Sequence, residues 1–182
     1  NAVSRLDTKW TTFTTENGLP SEWVFDIVVD SNNVKWFATN NGVASYDDET
    51  WNYYTVEDGL ADSIVQAAAV TGDDTIIFGT NNGLSRFDGE NWTTFRVTNI
   101  PKTSNMKAIA VDQNNVKWFA TTNYYGSLGN GGEGVSRFDG VAWSHFTVDD
   151  GLASNDVRAI DIAPDNTVWF ATTAPRRTGL IS

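Results

Sequence analysis

A four-fold repeat constrains this chain more than any other feature, because a repeat determines the architecture before any single element is assigned. The strings WTTF, WNYY, WTTF and WSHF begin at Trp10, Trp51, Trp92 and Trp143. Twenty-six residues after each of these tryptophans, the strings WFAT, IFGT, WFAT and WFAT begin at Trp36, Ile77, Trp118 and Trp169. The sequence therefore predicts one structural unit, about 40 residues long in its shortest form, that is used four times.

Each unit reads as four short strands. Residues 24–29 (VFDIVV) are largely apolar and β-branched, which predicts a strand buried on both faces. Asp and Asn at 30–33 and Asn-Asn-Gly at 40–42 favour tight turns into residues 34–39 and 43–46, and residues 51–54 supply a fourth strand. This pattern predicts an all-β fold, a β-propeller of four-stranded antiparallel blades. A stacked β-solenoid is the alternative, although its coils rarely contain four hairpin-linked strands.

The phase of the repeat predicts where the blades lie. Residues 2–7 match a third strand and residues 10–15 a fourth strand, so we expect residues 1–182 to form a single propeller or part of one. The expected divisions are a half blade at 1–15, three complete blades at 23–57, 64–98 and 106–149, and a partial blade at 157–182. The two part blades could pair and close a four-bladed ring, but residues 2–7 and 179–182 then claim the same strand position. We favour a fragment of a larger propeller.

Composition excludes several classes of partner. The chain has 23 acidic and 12 basic side chains and a net charge of −11, which argues against nucleic acid and anionic membrane surfaces because both require clustered Lys and Arg. No apolar run approaches the ~18 residues of a membrane-spanning helix, so we expect no direct membrane insertion. Without Cys there are no disulfides and no thiolate sites. Every Trp and Phe except Trp23 and Phe25 occupies a repeat position, which assigns most aromatic residues to blade packing.

The strings GLP at 18–20, WFAT at 36–39 after Asp30, and GLSRFDG at 83–89 resemble the two-component regulator propeller repeat of bacterial sensor kinases and secreted proteins. The resemblance covers essentially the whole chain. It implies a periplasmic or extracellular module that binds a ligand or partner without catalytic residues, and we expect no cofactor. The function expected first is the sensing part of a signalling protein, and the alternative is a secreted or cell-surface interaction scaffold. A propeller lyase or glycosidase is third.

The candidate catalytic and metal-binding residues have simpler explanations. His145 stands in a variable polar position of the fourth strand, and the sequence contains no nucleophile elbow of the G-x-S-x-G type. The Asp- and Asn-rich turns recur at the same hairpin of each unit and lack the spacing of a twelve-residue Ca²⁺ loop. We therefore predict no catalytic residue and no metal site.

The best functional signal is the place where the units differ. The third unit has an insertion containing Tyr124 and Tyr125 between its second and third strands, and the fourth has one containing Arg176 and Arg177. In a propeller these turns open on the same face as the connections between blades, and binding residues concentrate on such loops. The predicted binding residues are Tyr124, Tyr125, Arg176, Arg177, Lys102 and Trp23. We expect a carbohydrate, another small ligand or a protein partner, and further blades or a second copy to complete the ring.

Overall fold

The computed structural model describes residues 2–95, 106–122 and 132–173, and these residues form sixteen strands. The strands before the second complete sheet are β1 (Val3–Leu6), β2 (Trp10–Phe13), β3 (Val24–Val29), β4 (Lys35–Thr39), β5 (Gly42–Tyr46) and β6 (Trp51–Tyr54). The next are β7 (Val65–Val70), β8 (Ile76–Thr80), β9 (Gly83–Phe87), β10 (Trp92–Phe95), β11 (Met106–Val111) and β12 (Lys117–Thr122). The last are β13 (Gly132–Phe138), β14 (Trp143–Phe146), β15 (Val157–Ile162) and β16 (Val168–Thr172).

The strands form antiparallel meanders, as the sequence predicts. Blade 1 is the sheet β3–β4–β5–β6, blade 2 is β7–β8–β9–β10, and blade 3 is β11–β12–β13–β14. A first half blade, β1–β2, and a last half blade, β15–β16, are separate two-stranded sheets. The first strands of successive sheets contact one another, β3 with β7, β7 with β11 and β11 with β15. The propeller architecture is therefore confirmed, and the described sheets form an open arc.

The Asp- and Asn-rich hairpins between first and second strands are built by local hydrogen bonds. In blade 1, Asp30 Oδ1 accepts the backbone N–H groups of Asn32 at 3.0 Å and Val34 at 2.9 Å. Asn33 has a φ of 63°, a left-handed conformation that Asn tolerates better than most residues. The Asp and Asn residues of this hairpin thus serve to form the turn, through hydrogen bonds and a left-handed backbone conformation.

The fourth strand of the first half blade ends two residues earlier than the sequence predicts. Thr14 and Thr15 were expected in that strand, but Thr14 instead caps a short 3₁₀ turn over Thr15–Asn17. Its hydroxyl accepts the N–H of Glu16 at 3.2 Å, while the Asn17 side chain accepts the N–H of Thr14. A reciprocal cap of this kind satisfies two backbone N–H groups and so stabilises the turn.

Aromatic side chains of the second strands hold neighbouring blades together. Trp36 is only 5% exposed and lies between blades 1 and 2. Its ring stacks on Tyr54 with centroids 5.6 Å apart and meets Phe78 at 6.0 Å and Phe87 at 5.3 Å. The indole Nε1 donates a hydrogen bond to Asp30 Oδ2 at 2.9 Å. The buried indole therefore has its one donor satisfied and its faces covered.

The same contact is repeated two interfaces along the arc, between blade 3 and the last half blade. Trp118 of blade 3 stacks on Phe146 at 6.1 Å and meets Phe170 of the last half blade at 5.8 Å. Its Nε1 donates to Asp112 Oδ2 at 3.4 Å. The repeated Trp and Asp residues thus form a repeated contact between blades.

Two turn glycines that precede a leucine, Gly18 and Gly59, admit close packing between units. Gly18 has a φ of 125° and lies against the Trp51 indole, so a Cβ atom there would overlap the ring. A Cβ on Gly59, with a φ of 122°, would lie 2.7 Å from Trp92 Cβ. Both positions therefore require glycine for its conformation and for its lack of a side chain.

The expectation that β3 is buried on both faces is wrong. Phe25, Ile27 and Val29 are 47%, 43% and 51% exposed, and they alternate with more buried neighbours. The equivalents of Ile27 in the next two blades, Ala68 and Ile109, are buried against the preceding blade. In the described residues the first half blade has only third and fourth strands, so no inner strands cover this face of β3.

We predict that tryptophans at one repeat position contribute very differently to stability. Trp36→Ala should lower the free energy of unfolding by about 3–5 kcal/mol, because it empties a buried interface. Trp169→Ala should change it by about 0.5 kcal/mol or less, because Trp169 is 67% exposed. Urea denaturation of both variants checks this, and equal losses would contradict the assigned packing.

Candidate functional site

One edge of the arc gathers the starts of the first strands and the ends of the second strands. Asn40 N–H donates to Trp23 O at 3.2 Å, and the equivalent Thr173 N–H donates to Asp156 O at 3.0 Å. The connection to the next blade is at the same edge, since Gly42 N–H donates to Ser63 O at 2.7 Å. We call this edge the rim. It is the face on which the sequence placed the variable loops.

Most of the predicted binding residues lie outside the described residues. β12 ends at Thr122 and β13 begins at Gly132, so the insertion of the third unit lies between its second and third strands. The residues that cannot be placed are Tyr124, Tyr125, Lys102, Arg176 and Arg177. Trp23 is described and lies at the rim, immediately before β3, with 58% of its surface exposed.

The rim also carries a set of residues that the sequence analysis missed. Each first strand has a β-bulge at its second residue, between Val24 and Asp26 in blade 1 and at the same place in the other units. A bulge leaves its extra residue outside the regular pairing and redirects its side chain. The bulged residues are Phe25, Gln66, Lys107 and Arg158.

Two of these side chains join neighbouring blades. Lys107 Nζ of blade 3 donates a hydrogen bond to Gln66 Oε1 of blade 2. Gln66 Nε2 in turn donates to Asn81 Oδ1, in the turn between the second and third strands of its own blade. The polar chain therefore runs along the rim across an interface, with the Lys107 ammonium held close to the first strands.

The last half blade continues this chain with an ion pair. Arg158 Nη2 lies 2.8 Å from Asp156 Oδ2, and the same carboxylate oxygen accepts the Thr173 hydroxyl at 2.8 Å. Burial lowers the pKa of Lys107, and the nearby positive charge of Arg158 lowers it further. Lys107 and Arg158 hold the same bulge position in adjacent first strands, so both positive charges lie at the rim. Arg158 is paired with Asp156, and both cations present N–H donors that suit an anionic group.

The other end of the rim is aromatic. Trp23 N–H donates to Ser21 Oγ at 2.9 Å, and Ser21 Oγ donates to Asn40 Oδ1, so the backbone of Trp23 is fixed while its ring is exposed. Phe25, two residues along, is also exposed. Exposed aromatic rings on a fixed backbone can stack against the apolar face of a ligand. Along the arc the rim thus passes from aromatic rings to an amide and then to cations.

Asp26 follows the bulge of blade 1 and points away from the rim into the interface with blade 2. Its Oδ2 accepts the N–H of Ala68 at 2.9 Å, and burial raises the pKa of the carboxyl above its usual range. The raised pKa of Asp26 therefore results from its burial in a contact between blades.

His145 occupies a structural position in the fourth strand of blade 3. The equivalent side chains in the preceding blades tie down the turn before each blade, with Tyr53 Oη donating to Gly18 O at 3.0 Å and Thr94 Oγ1 donating to Gly59 O. His145 Nδ1 lies 3.2 Å from Ser136 Oγ on the adjacent strand. These contacts favour the interpretation of this position as a variable polar position of the scaffold.

Neither a metal-binding cluster nor a membrane-spanning helix is found in the described part of the chain. It contains no cluster of three or more His, Cys, Asp or Glu side chains arranged to hold a metal ion. No helix within those residues has the length and hydropathy needed to cross a membrane.

Comparison with known proteins shows similarity in structure. A scan against protein-family models and a search of curated proteins each gave no match. The extracellular domain assigned to a hybrid two-component system of B. thetaiotaomicron matches with a TM-score of 0.75 and 16% identity, over 91% of this chain and 23% of that one. The chain therefore spans about a quarter of that domain.

Two other solved structures share the architecture. Virginiamycin B lyase from Staphylococcus aureus matches with a TM-score of 0.70 and 19% identity, over 94% of this chain and 56% of that one. PorZ, a bacterial surface component of the type-IX secretion system of Porphyromonas gingivalis, matches with a TM-score of 0.66 and 16% identity, over 92% and 27%. At these identities the likeness shows the fold, and the neighbours have different functions.

Proposed function

We propose that this chain is a non-catalytic ligand-binding propeller module in the extracytoplasmic, sensing part of a bacterial signalling protein. The observation that carries the proposal is the rim, where the bulges direct four variable side chains to equivalent positions on a rigid scaffold. The likeness to an extracellular domain of a two-component system supports the signalling context. The likeness to a bacterial surface component supports a location outside the cytoplasm, periplasmic or extracellular.

The chemistry of the rim favours an acidic carbohydrate as the ligand. Aromatic rings at Trp23 and Phe25 suit the apolar face of a sugar ring, while Lys107 and Arg158 suit a carboxylate. The Gln66 amide lies in the chain of contacts between them. A uronic acid presents both features in one unit, so an oligomer of such units fits this order of residues.

The same contacts favour binding over catalysis. The Asp156 carboxylate is engaged by Arg158 and by the Thr173 hydroxyl, and the Lys107 ammonium donates to Gln66. A general acid or base needs a group free to exchange a proton with substrate. Lys107, Arg158 and Asp156 are each engaged with a neighbouring side chain, which suits a preorganised binding surface. A catalytic propeller is the alternative function, because one of the structural neighbours is a lyase.

We predict that trigalacturonate binds the chain and that neutral galactotriose binds at least about tenfold more weakly, a difference of about 1.4 kcal/mol. Lys107→Met with Arg158→Gln should remove this preference, and Trp23→Ala should weaken binding of both sugars. Lys9→Gln is the matched control, because Lys9 lies in the turn at the opposite edge of the first half blade. Isothermal titration calorimetry measures all four proteins.

The result that would contradict the binding proposal is equal affinity for both sugars, or trigalacturonate affinity unchanged in the double variant. Mass spectrometry of the trigalacturonate after prolonged incubation separates binding from catalysis. Intact sugar supports the non-catalytic proposal, and cleavage products would replace it with the lyase alternative.

We also propose that the exposed end faces of the arc pack against a second copy of the chain when it is studied alone. Ile27 and Val29 are exposed on β3 at one end, and Trp169 is exposed at the other. Within the arc, Ala68 and Trp36 at the equivalent positions are buried by the neighbouring blade. A propeller sheet that leaves such faces uncovered exposes an association surface.

We predict that the mean mass measured by light scattering rises above 20.0 kDa with protein concentration. Ile27→Lys combined with Trp169→Lys should restore the monomer mass. Val141→Lys is the control, because Val141 is 93% exposed in a turn of blade 3 rather than on an end face. A constant monomer mass for the wild-type chain would contradict this association. It would favour the interpretation that further blades, and not a second copy, cover the end faces.

A further inference from the structure

The interface between blades 2 and 3 lacks the second-strand tryptophan that fills the interfaces on either side of it. Ile77 stands in β8 where Trp36 and Trp118 stand in β4 and β12. Around Trp36 lie Tyr54 of its own blade and Phe78 and Phe87 of blade 2. An isoleucine is too small to replace a bicyclic ring in that surrounding.

The space that the indole would occupy is an open pocket between blades 2 and 3. Its volume is about 200 Å³, and Ile77 lines it. Leu84 also lines it. The aromatic walls are the repeat equivalents of the side chains around Trp36, together with a tryptophan of the fourth strand, and they are Phe95, Phe119, Phe138 and Trp143. Trp143 lies 4.7 Å from Phe138 and 5.4 Å from Phe119, measured between ring centroids. The aromatic side chains that surround Trp36 between blades 1 and 2 therefore have counterparts here, but no second-strand tryptophan lies among them.

The polar partner of the indole is also replaced. The carboxylates that accept the indole N–H in blades 1 and 3, Asp30 and Asp112, correspond to Thr71 in blade 2. Thr71 lines the pocket, and its hydroxyl donates to Asp73 Oδ1. Both members of the Trp–Asp pair are therefore replaced at this interface, by Ile77 and Thr71.

Two cations line this pocket. Arg86 Nη2 donates to Thr75 Oγ1 at 3.2 Å, whereas its equivalent in blade 3, Arg137, lies over the Trp118 ring at 5.8 Å. The guanidinium of Arg86 thus has no ring of its own blade beneath it, because Ile77 replaces the tryptophan.

The second cation is Lys117, from the neighbouring blade. Its equivalent in blade 1, Lys35, pairs with Asp48 at 2.6 Å, but Gly140 stands in place of that aspartate in blade 3. Lys117 makes no ion pair among the residues that the structure describes. Among the lining residues Asp73 is the one carboxylate, and Asp88, which is not among them, forms an exposed ion pair with Arg86 at 3.5 Å. Lys117 is therefore the cation of the pocket wall without a described carboxylate partner.

We propose that this pocket binds a small aromatic carboxylate with a bicyclic ring of indole size. The ring would take the place that Trp36 occupies between blades 1 and 2, and the carboxylate would meet Arg86 and Lys117. An apolar protein cavity of about 150 Å³ suffices for benzene, so about 200 Å³ admits a larger ring. The site is separate from the rim, because the turn that contains Thr71 and Thr75 lies at the opposite edge of blade 2.

The test titrates the 182-residue chain with indole-3-acetate, with indole and with sodium acetate by calorimetry. Indole-3-acetate should bind about tenfold more tightly than indole, and acetate alone should show no saturable binding. Ile77→Trp should abolish binding of both ring compounds and raise the melting temperature, because the protein's own indole fills the pocket. Arg86→Gln with Lys117→Gln should lower affinity for indole-3-acetate about tenfold and leave that for indole unchanged.

Lys107→Met with Arg158→Gln at the rim is the matched charge control and should leave indole-3-acetate binding unchanged. The proposal is overturned if wild-type protein binds neither ring compound, or if Ile77→Trp that is folded by circular dichroism binds both as well as wild type. If Ile77→Trp fails to fold, the double charge variant decides: retained affinity for indole-3-acetate rejects the pocket, and its selective loss supports it.

Discussion

Packing of aromatic side chains between neighbouring sheets is the interaction on which the rest of this structure depends. Each blade is a four-stranded sheet with strands of four to seven residues, which cannot bury both of its faces alone. Trp36 fills the interface between blades 1 and 2. Its indole donates to Asp30, and Phe78 and Phe87 pack against its ring. Stability is therefore distributed as a series of contacts between nearest neighbours, and each blade depends on the blades beside it.

This arrangement separates the residues that hold the arc from the residues that can vary. Tight turns and second-strand tryptophans maintain the scaffold, while the bulged residue of each first strand projects at the rim, where its residue type varies from unit to unit. Lys107 and Gln66 illustrate this freedom, since they occupy the position that Phe25 occupies in blade 1. Ile77, in contrast, replaces a tryptophan at a scaffold position. The smaller side chain leaves a pocket between blades 2 and 3.

The architecture could be predicted from the sequence because the same pattern of strands and turns occurs four times. Four strands per unit, their order and the hairpins at Asp30–Asn33 follow from period and turn chemistry. The burial of β3 could not be predicted, because the exposure of Ile27 depends on which neighbouring strands cover it. The bulges depend on pairing register, so Gln66 and Lys107 were overlooked, although the change from Phe25 to an amide and to cations at one repeat position was a usable signal. The predicted tyrosine and arginine loops lie outside the described residues.

Native-state hydrogen exchange tests most directly the claim that contacts between blades hold this fold together. The strands β7 and β15 are matched, because each is the first strand of its sheet and pairs with its second strand alone. They differ in their neighbours, since β7 contacts β3 and β11 while the first-strand contact of β15 is with β11. The account predicts markedly slower exchange for the amides of β7 than for those of β15 and β3. Equal protection of the three strands would contradict it.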